Sequence, residues 1–143
     1  MPLTRVYLPI TPADLRALAD GMALRPIPRP AHAVTPALGK PGLVTDEEEL
    51  EHAAWVAATE EAIAPPGAAP RRRVIAAADV DATAVAFPAD PDVPSRVEVS
   101  APVERRRIVS FHVDEDPGCC EPTDLLWYDV TELADVRAIV ARP

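Results

Sequence analysis

Two stretches of the chain repeat one pattern of charged and apolar positions. Arg71-Arg72-Arg73 leads through Val74 to Ala78 into Asp79 and Asp81, and Arg105-Arg106-Arg107 leads through Ile108 to Val113 into Asp114, Glu115 and Asp116. An apolar run of this length, opened by β-branched residues and bounded by charge, predicts a strand buried on both faces. These twin runs are expected to be the central strands of one sheet.

The remaining elements follow from local signals. Leu3 to Ile10 alternates Val6, Leu8 and Ile10 with Arg5, Tyr7 and Pro9 and predicts a strand, with Pro9 near an edge or the strand end. Thr11 caps a helix that Pro12 opens and Asp14 favours through the dipole, with Leu15, Leu18 and Met22 as its apolar stripe and Gly21 as its stop. Residues 23–44 carry five prolines and no helical period. They predict a long loop with an extended piece at Ala31 to Thr35, and a loop of this length is either a lid, a partner surface or an inert connection. Thr45-Asp46-Glu47-Glu48 reads as a capping box opening a helix to about Ile63, with Leu50, Ala53, Ala54, Ala57 and Ala58 on one small-residue face and His52, Trp55 and Thr59 beside it.

Arg96 to Ser100 alternates as a short strand, Ala101 to Glu104 turns into the second twin, and Leu125 to Val130 is the last strand, capped at Thr131 into a final helix. Residues 116–124 are too few for a parallel crossover, so the strands flanking them run antiparallel if they are neighbours. Ile10 to Leu18 and Val130 to Ile139 resemble each other, a likeness that duplication or a common need for caps and stripes can produce. The order of elements predicts one α+β domain over residues 1–143, a sandwich with helices on one face of a mostly antiparallel sheet, ferredoxin-like or related.

Composition narrows the function classes. A net charge of −9 argues against broad nucleic-acid binding, and no apolar run is long enough to span a membrane. Arginine far outnumbers lysine, with Lys40 alone, as a GC-rich genome would produce. Only six aromatic residues are present, so Tyr7, Trp55, Phe87, Phe111, Trp127 and Tyr128 are expected to carry much of the core. Adjacent Cys119 and Cys120, among acids that raise a thiol pKa, point to a reduced, cytoplasmic protein without a catalytic thiolate. Five glycines leave no phosphate-cradling loop, and no nucleophile elbow or zinc-protease motif occurs.

The candidate chemistry lies at the ends of the twin runs. His112, Asp114 and Asp116 alternate along a strand and share a face, with Asp79 or Asp81 adjacent if the twins are neighbours; such a set could hold a divalent metal or pair a base with its orienting acid. The plain alternative is that strands end in turn-favouring acids and that His112 is a satisfied core histidine. Arg71, Arg72 and Arg106 could gather an anion if the twins run parallel, whereas antiparallel twins set each triplet against the other strand's acids.

Several segments carry a resemblance: Arg5 to Pro9, Ala33 to Leu38, Glu48 to Ala54, the first twin run, Phe111 to Asp114, and Leu125-Leu126-Trp127-Tyr128. Together they resemble a family of small actinobacterial proteins of unknown function. Members of that family carry a longer alanine- and acid-rich segment before the Leu-Leu-Trp-Tyr strand, where this chain has only residues 116–124. The resemblance implies no activity or cofactor. Without a catalytic motif, the sequence points to a non-enzymatic binding or regulatory protein, with another protein as partner and no cofactor, acting through the 23–44 loop and the helix after it. A metal-dependent protein built on His112, Asp114 and Asp116, and an anion sensor built on the arginine triplets, are the alternatives.

Overall fold

The computed structural model describes residues 2–25, 27–38, 46–89, 91–118, 120–122 and 125–142. Strand β1 (Leu3–Ile10) leads into helix α1 (Pro12–Ala19), followed by β2 (Arg29–His32) and α2 (Glu47–Glu61). Strands β3 (Val74–Asp81), β4 (Val85–Ala86), β5 (Arg96–Val99), β6 (Ile108–Asp114) and β7 (Leu125–Asp129) precede the last helix, α3 (Leu133–Val140). The described strands form one sheet in the order β4-β5-β2-β1-β3-β6-β7, and every named pair is antiparallel. None of the described helices is long and apolar enough to cross a membrane.

The chain is α+β around an antiparallel sheet, with one correction to the expected layering: the helices occupy both faces. Residues alternate across β3, so Val74, Ala76, Ala78 and Val80 join Leu15 and Leu18 of α1 and Leu133 and Val136 of α3 in one core. Ile75 and Ala77 point the other way and pack with Tyr7 and with Ala54 and Ala58 of α2. The helices of the α1/α3 layer pack through leucine and valine, but α2 offers alanine, which packs against Tyr7 of β1 and Ile75 and Ala77 of β3. The ferredoxin-like pattern is present only in part. Since β2 and β3 both run antiparallel to β1 and flank it, α2 links two parallel strands across an inserted third, a split β-α-β unit. Seven strands and two helical layers depart from the rest of that pattern.

The extended piece expected at Ala31 to Thr35 lies slightly earlier, at Arg29–His32, and is an inner strand. Residues 29–32 of the expected 23–44 loop are therefore part of the sheet, while residues 26 and 39–44 of it lie outside the described residues. Pro30 cannot donate to a ladder, and β2 meets β1 only at His32 opposite Tyr7. Arg29 compensates: its guanidinium donates to the Pro9 carbonyl (3.0 Å) and to both oxygens of Asp14 (2.7 and 3.2 Å), joining β1, α1 and β2.

The first helix begins as its sequence dictates. Thr11 Oγ1 accepts from the Asp14 N–H (3.2 Å) and Asp14 accepts from the Thr11 N–H (2.9 Å), while Gly21 at φ 79° ends it. Met22, expected in its stripe, is exposed because the helix has already stopped. Asp46 caps α2 by accepting from the Glu48 N–H (2.9 Å); Thr45 lies outside the described residues. The final helical segment is capped by Asp129 rather than Thr131, whose N–H and hydroxyl both donate to the Asp129 carboxylate. Of the aromatic residues only Phe111 and Tyr7 are buried, whereas Phe87 (51% exposed) and Trp127 (61% exposed) face outward.

Candidate binding face and the fate of the charged clusters

The twin runs are hydrogen-bonded neighbours and antiparallel, with Val74 opposite Val113 and Ala78 opposite Ile108. One arginine of each triplet, Arg73 and Arg107, thus meets an acid of the other run. Arg73 and Asp114 are both buried and form a bidentate pair, Nε to Oδ2 and Nη2 to Oδ1 at 2.9 Å each. The Arg73 guanidinium also donates to the carbonyls of Glu121 (2.7 Å) and Cys120 (3.3 Å), so one side chain binds β6 and the loop beyond it to β3. At the opposite end Arg107 stands 3.5 Å from Asp81, and Arg106 pairs with Glu104 at 2.5 Å.

This arrangement disperses the residues expected to form a metal or catalytic set. Asp114 is committed to Arg73, Asp79 accepts from Arg5 at 2.6 Å, and Asp116 is exposed in the turn after β6. Among the described residues no group of three or more His, Cys, Asp or Glu side chains is placed to hold a metal. His112 is half-buried, its ring edge-on to Trp55 (5.6 Å between centroids), with Nε2 3.3 Å from Ser110 Oγ. Burial lowers its pKa to about 4, so the ring is neutral at pH 7. Arg71 and Arg72 stand apart from Arg106, at the other end of the sheet, where they line a separate cleft.

The open part of the molecule is the α2 face above β6 and β7. Helix α2 lies mainly over β2, β1 and β3 and reaches β6 through Trp55 at His112, so that among the described residues the sheet beyond that contact, with β7 at its edge, is open on this face. Between α2 and the outer strands runs a cleft of about 520 Å³ floored by Ala77, Ser110 and His112, walled by His52 and Trp55, and bounded by Trp127. His52 stacks on Trp55 at 5.7 Å, one turn along α2. The strand pairing sets Trp127 opposite His112, which fixes Trp127 on this face. Glu48 and Glu51 line the rim, and no ion pair is formed by either among the described residues. Their field is felt nearby: burial, and next the Glu51 carboxylate, raises the Tyr7 hydroxyl pKa above its usual range. The Arg5 guanidinium on the same rim is held by Asp79.

Sequence reading placed His52 beside Trp55, and alternation in β7 puts Leu125 and Trp127 on one face. What it lacked was the neighbour of each face, which depends on strand order. It also missed a buried polar row: His32 Nδ1 meets Ser95 Oγ at 2.8 Å, and Glu61 Oε2 lies 3.5 Å from His32 Nε2. The order Ser–His–acid invites a catalytic reading, but Ser95 and His32 are both about 1% exposed and neither lines a described cleft. The row fastens β2 to the end of α2, where the His32 ring first, and the Arg96 guanidinium after it, hold the Glu61 carboxyl below its usual range.

A model for a family of unknown function, DUF6912, matches residues 4–119. No curated protein and no solved structure matches the chain.

Proposed function

The chain belongs to this family of unknown function, and from that premise we propose that it is a non-enzymatic binding module that takes an extended, basic segment of a partner protein along β7. The observation that carries this reading is the cleft beside β6 and β7, open among the described residues, with Trp127 exposed on an edge strand beside the acidic rim of α2. An edge strand offers its outer row of N–H and C=O groups to an incoming strand, and alternate side chains of that strand then enter the cleft. Lysine or arginine there would stack on the indole faces and meet Glu48 and Glu51. Helix α2 thus keeps the role expected for it, and β7 takes the place of the part of the expected loop, residues 29–32, that is held inside the sheet. A reducing, cytoplasmic setting is part of the proposal and is supported by the exposed free thiol of Cys120; Cys119 lies outside the described residues.

Titration calorimetry with a peptide of about ten residues alternating basic residues with valine, and with its glutamate counterpart, tests the reading. The basic peptide should bind saturably and the acidic one should not. Trp127→Ala should weaken binding about tenfold or more, and Glu48→Gln with Glu51→Gln should flatten its salt dependence. Equal binding of both peptides, or of the basic peptide to wild type and Trp127→Ala, would sink it.

A further inference from the structure

A second cleft, of about 430 Å³, opens where the end of β1, the end of α2, the entry to β3 and the end of α3 converge. Arg71, Arg72 and Arg142 all line it. Arg71 Nη2 donates to the Ala62 carbonyl (3.1 Å), and Arg72 donates to the carbonyls of Arg142 (2.8 Å) and Glu115 (3.4 Å). These are neutral acceptors at or near the ends of α2, α3 and β6, so the guanidiniums brace the cleft without being neutralised. Among the described residues no carboxylate lies within ion-pair distance of Arg71, Arg72 or Arg142. The lining holds one acid, Glu61, and its two oxygens are already engaged by Arg96 and faced by His32. Arg73, the fourth arginine of the lining, is balanced by Asp114.

A chain with net charge −9 has thus concentrated in one concavity three cations without a carboxylate partner among the described residues. Each guanidinium has five N–H donors in a planar fork, and the carbonyl contacts of Arg71 and Arg72 use only one and two of them. The remaining donors suit a multidentate oxyanion. Beside them lie apolar walls from Ile10, Val74 and Val140, and the volume is that of a small-molecule site. We propose that this cleft binds a phosphate monoester of a small apolar alcohol, the phosphate on Arg71, Arg72 and Arg142 and the apolar body against Ile10 and Val140. A dianionic phosphate is favoured over a carboxylate because each added negative charge interacts with all three guanidiniums at once.

Phenyl phosphate, titrated calorimetrically into the whole protein at fixed ionic strength, is the probe. Saturable binding is expected, tighter than that of inorganic phosphate, which lacks the apolar body, and tighter than that of benzoate, which carries a single charge. Arg142→Gln is the informative variant, because its guanidinium makes no hydrogen bond or ion pair among the described residues and its loss should leave folding intact. It should weaken binding about tenfold, with Arg72→Gln at least as damaging. Arg106→Gln, in the triplet at the far end of the sheet, should bind as wild type does. Absence of saturable binding, tighter binding of benzoate, or equal losses in Arg142→Gln and Arg106→Gln would each overturn the proposal.

Discussion

His112 and Asp114 lie two positions apart on β6 and face the same side, yet their surroundings differ. The imidazole, enclosed by Trp55 and the sheet, has its pKa lowered to about 4 by desolvation. A histidine whose folded pKa is depressed contributes full stability above its unfolded value near 6.5 and loses it as pH falls toward 4, because the unfolded chain takes the proton first. A shift of this size corresponds to about 3 kcal/mol. Urea midpoints measured from pH 7 to pH 4 should therefore fall from about 6.5 downward, before the carboxylates titrate, and His112→Gln should flatten that upper part of the curve. Asp114, by contrast, is buried in a bidentate ion pair with Arg73. Replacing it with Asn leaves a buried guanidinium without its counter-ion and should cost about 3–5 kcal/mol in urea unfolding, whereas Arg73→Met with Asp114→Leu should recover much of the loss. Sequence reading saw the arginine triplet and the acids, but an arginine in a core is legible only once its partner strand is known.

Elements dictated by neighbouring residues were readable, and those dictated by distant ones were not. The Thr11 cap and the stop at Gly21 involve residues a few positions apart, and the structure has both. Strand β2 is four residues long and contains a proline, so no local signal marks it as interior; its place comes from β5 on one side and from Arg29 reaching Pro9 on the other. Helix α2 has small residues around much of its surface, and the side that turns to the sheet meets Tyr7 of β1 and Ile75 and Ala77 of β3, residues distant in sequence. The aromatic residues were misread for the same reason, since alanine fills the space under α2 and leaves Trp127 outside. Removal of residues 27–38 checks the status of β2. If this stretch were a surface loop, the shortened chain would still melt cooperatively; as an inner strand, its loss should abolish the cooperative transition and the near-UV circular dichroism.

Across the whole molecule, charge is sorted by the direction of two strands. Antiparallel twins place one arginine triplet at each end of the sheet, so a sequence repeat that looked like one potential anion site becomes two separate neighbourhoods. The far triplet is matched by Glu104 and Asp81, and in the near one Arg71 and Arg72 have no carboxylate partner among the described residues. The acidic rim of α2 lies on the β6–β7 side of the sheet, in a separate cleft. The peptide and the phenyl phosphate should therefore bind together, and saturating the protein with one should change the affinity for the other by less than about threefold.

The position of β1 has a consequence for how the chain is made. It pairs along its full length with β3, Leu3 opposite Asp81 and Ile10 opposite Val74. During synthesis β1 leaves the ribosome well before β3 and must therefore wait for a partner some seventy residues behind it, its apolar edge meanwhile open to chaperones or to other nascent chains.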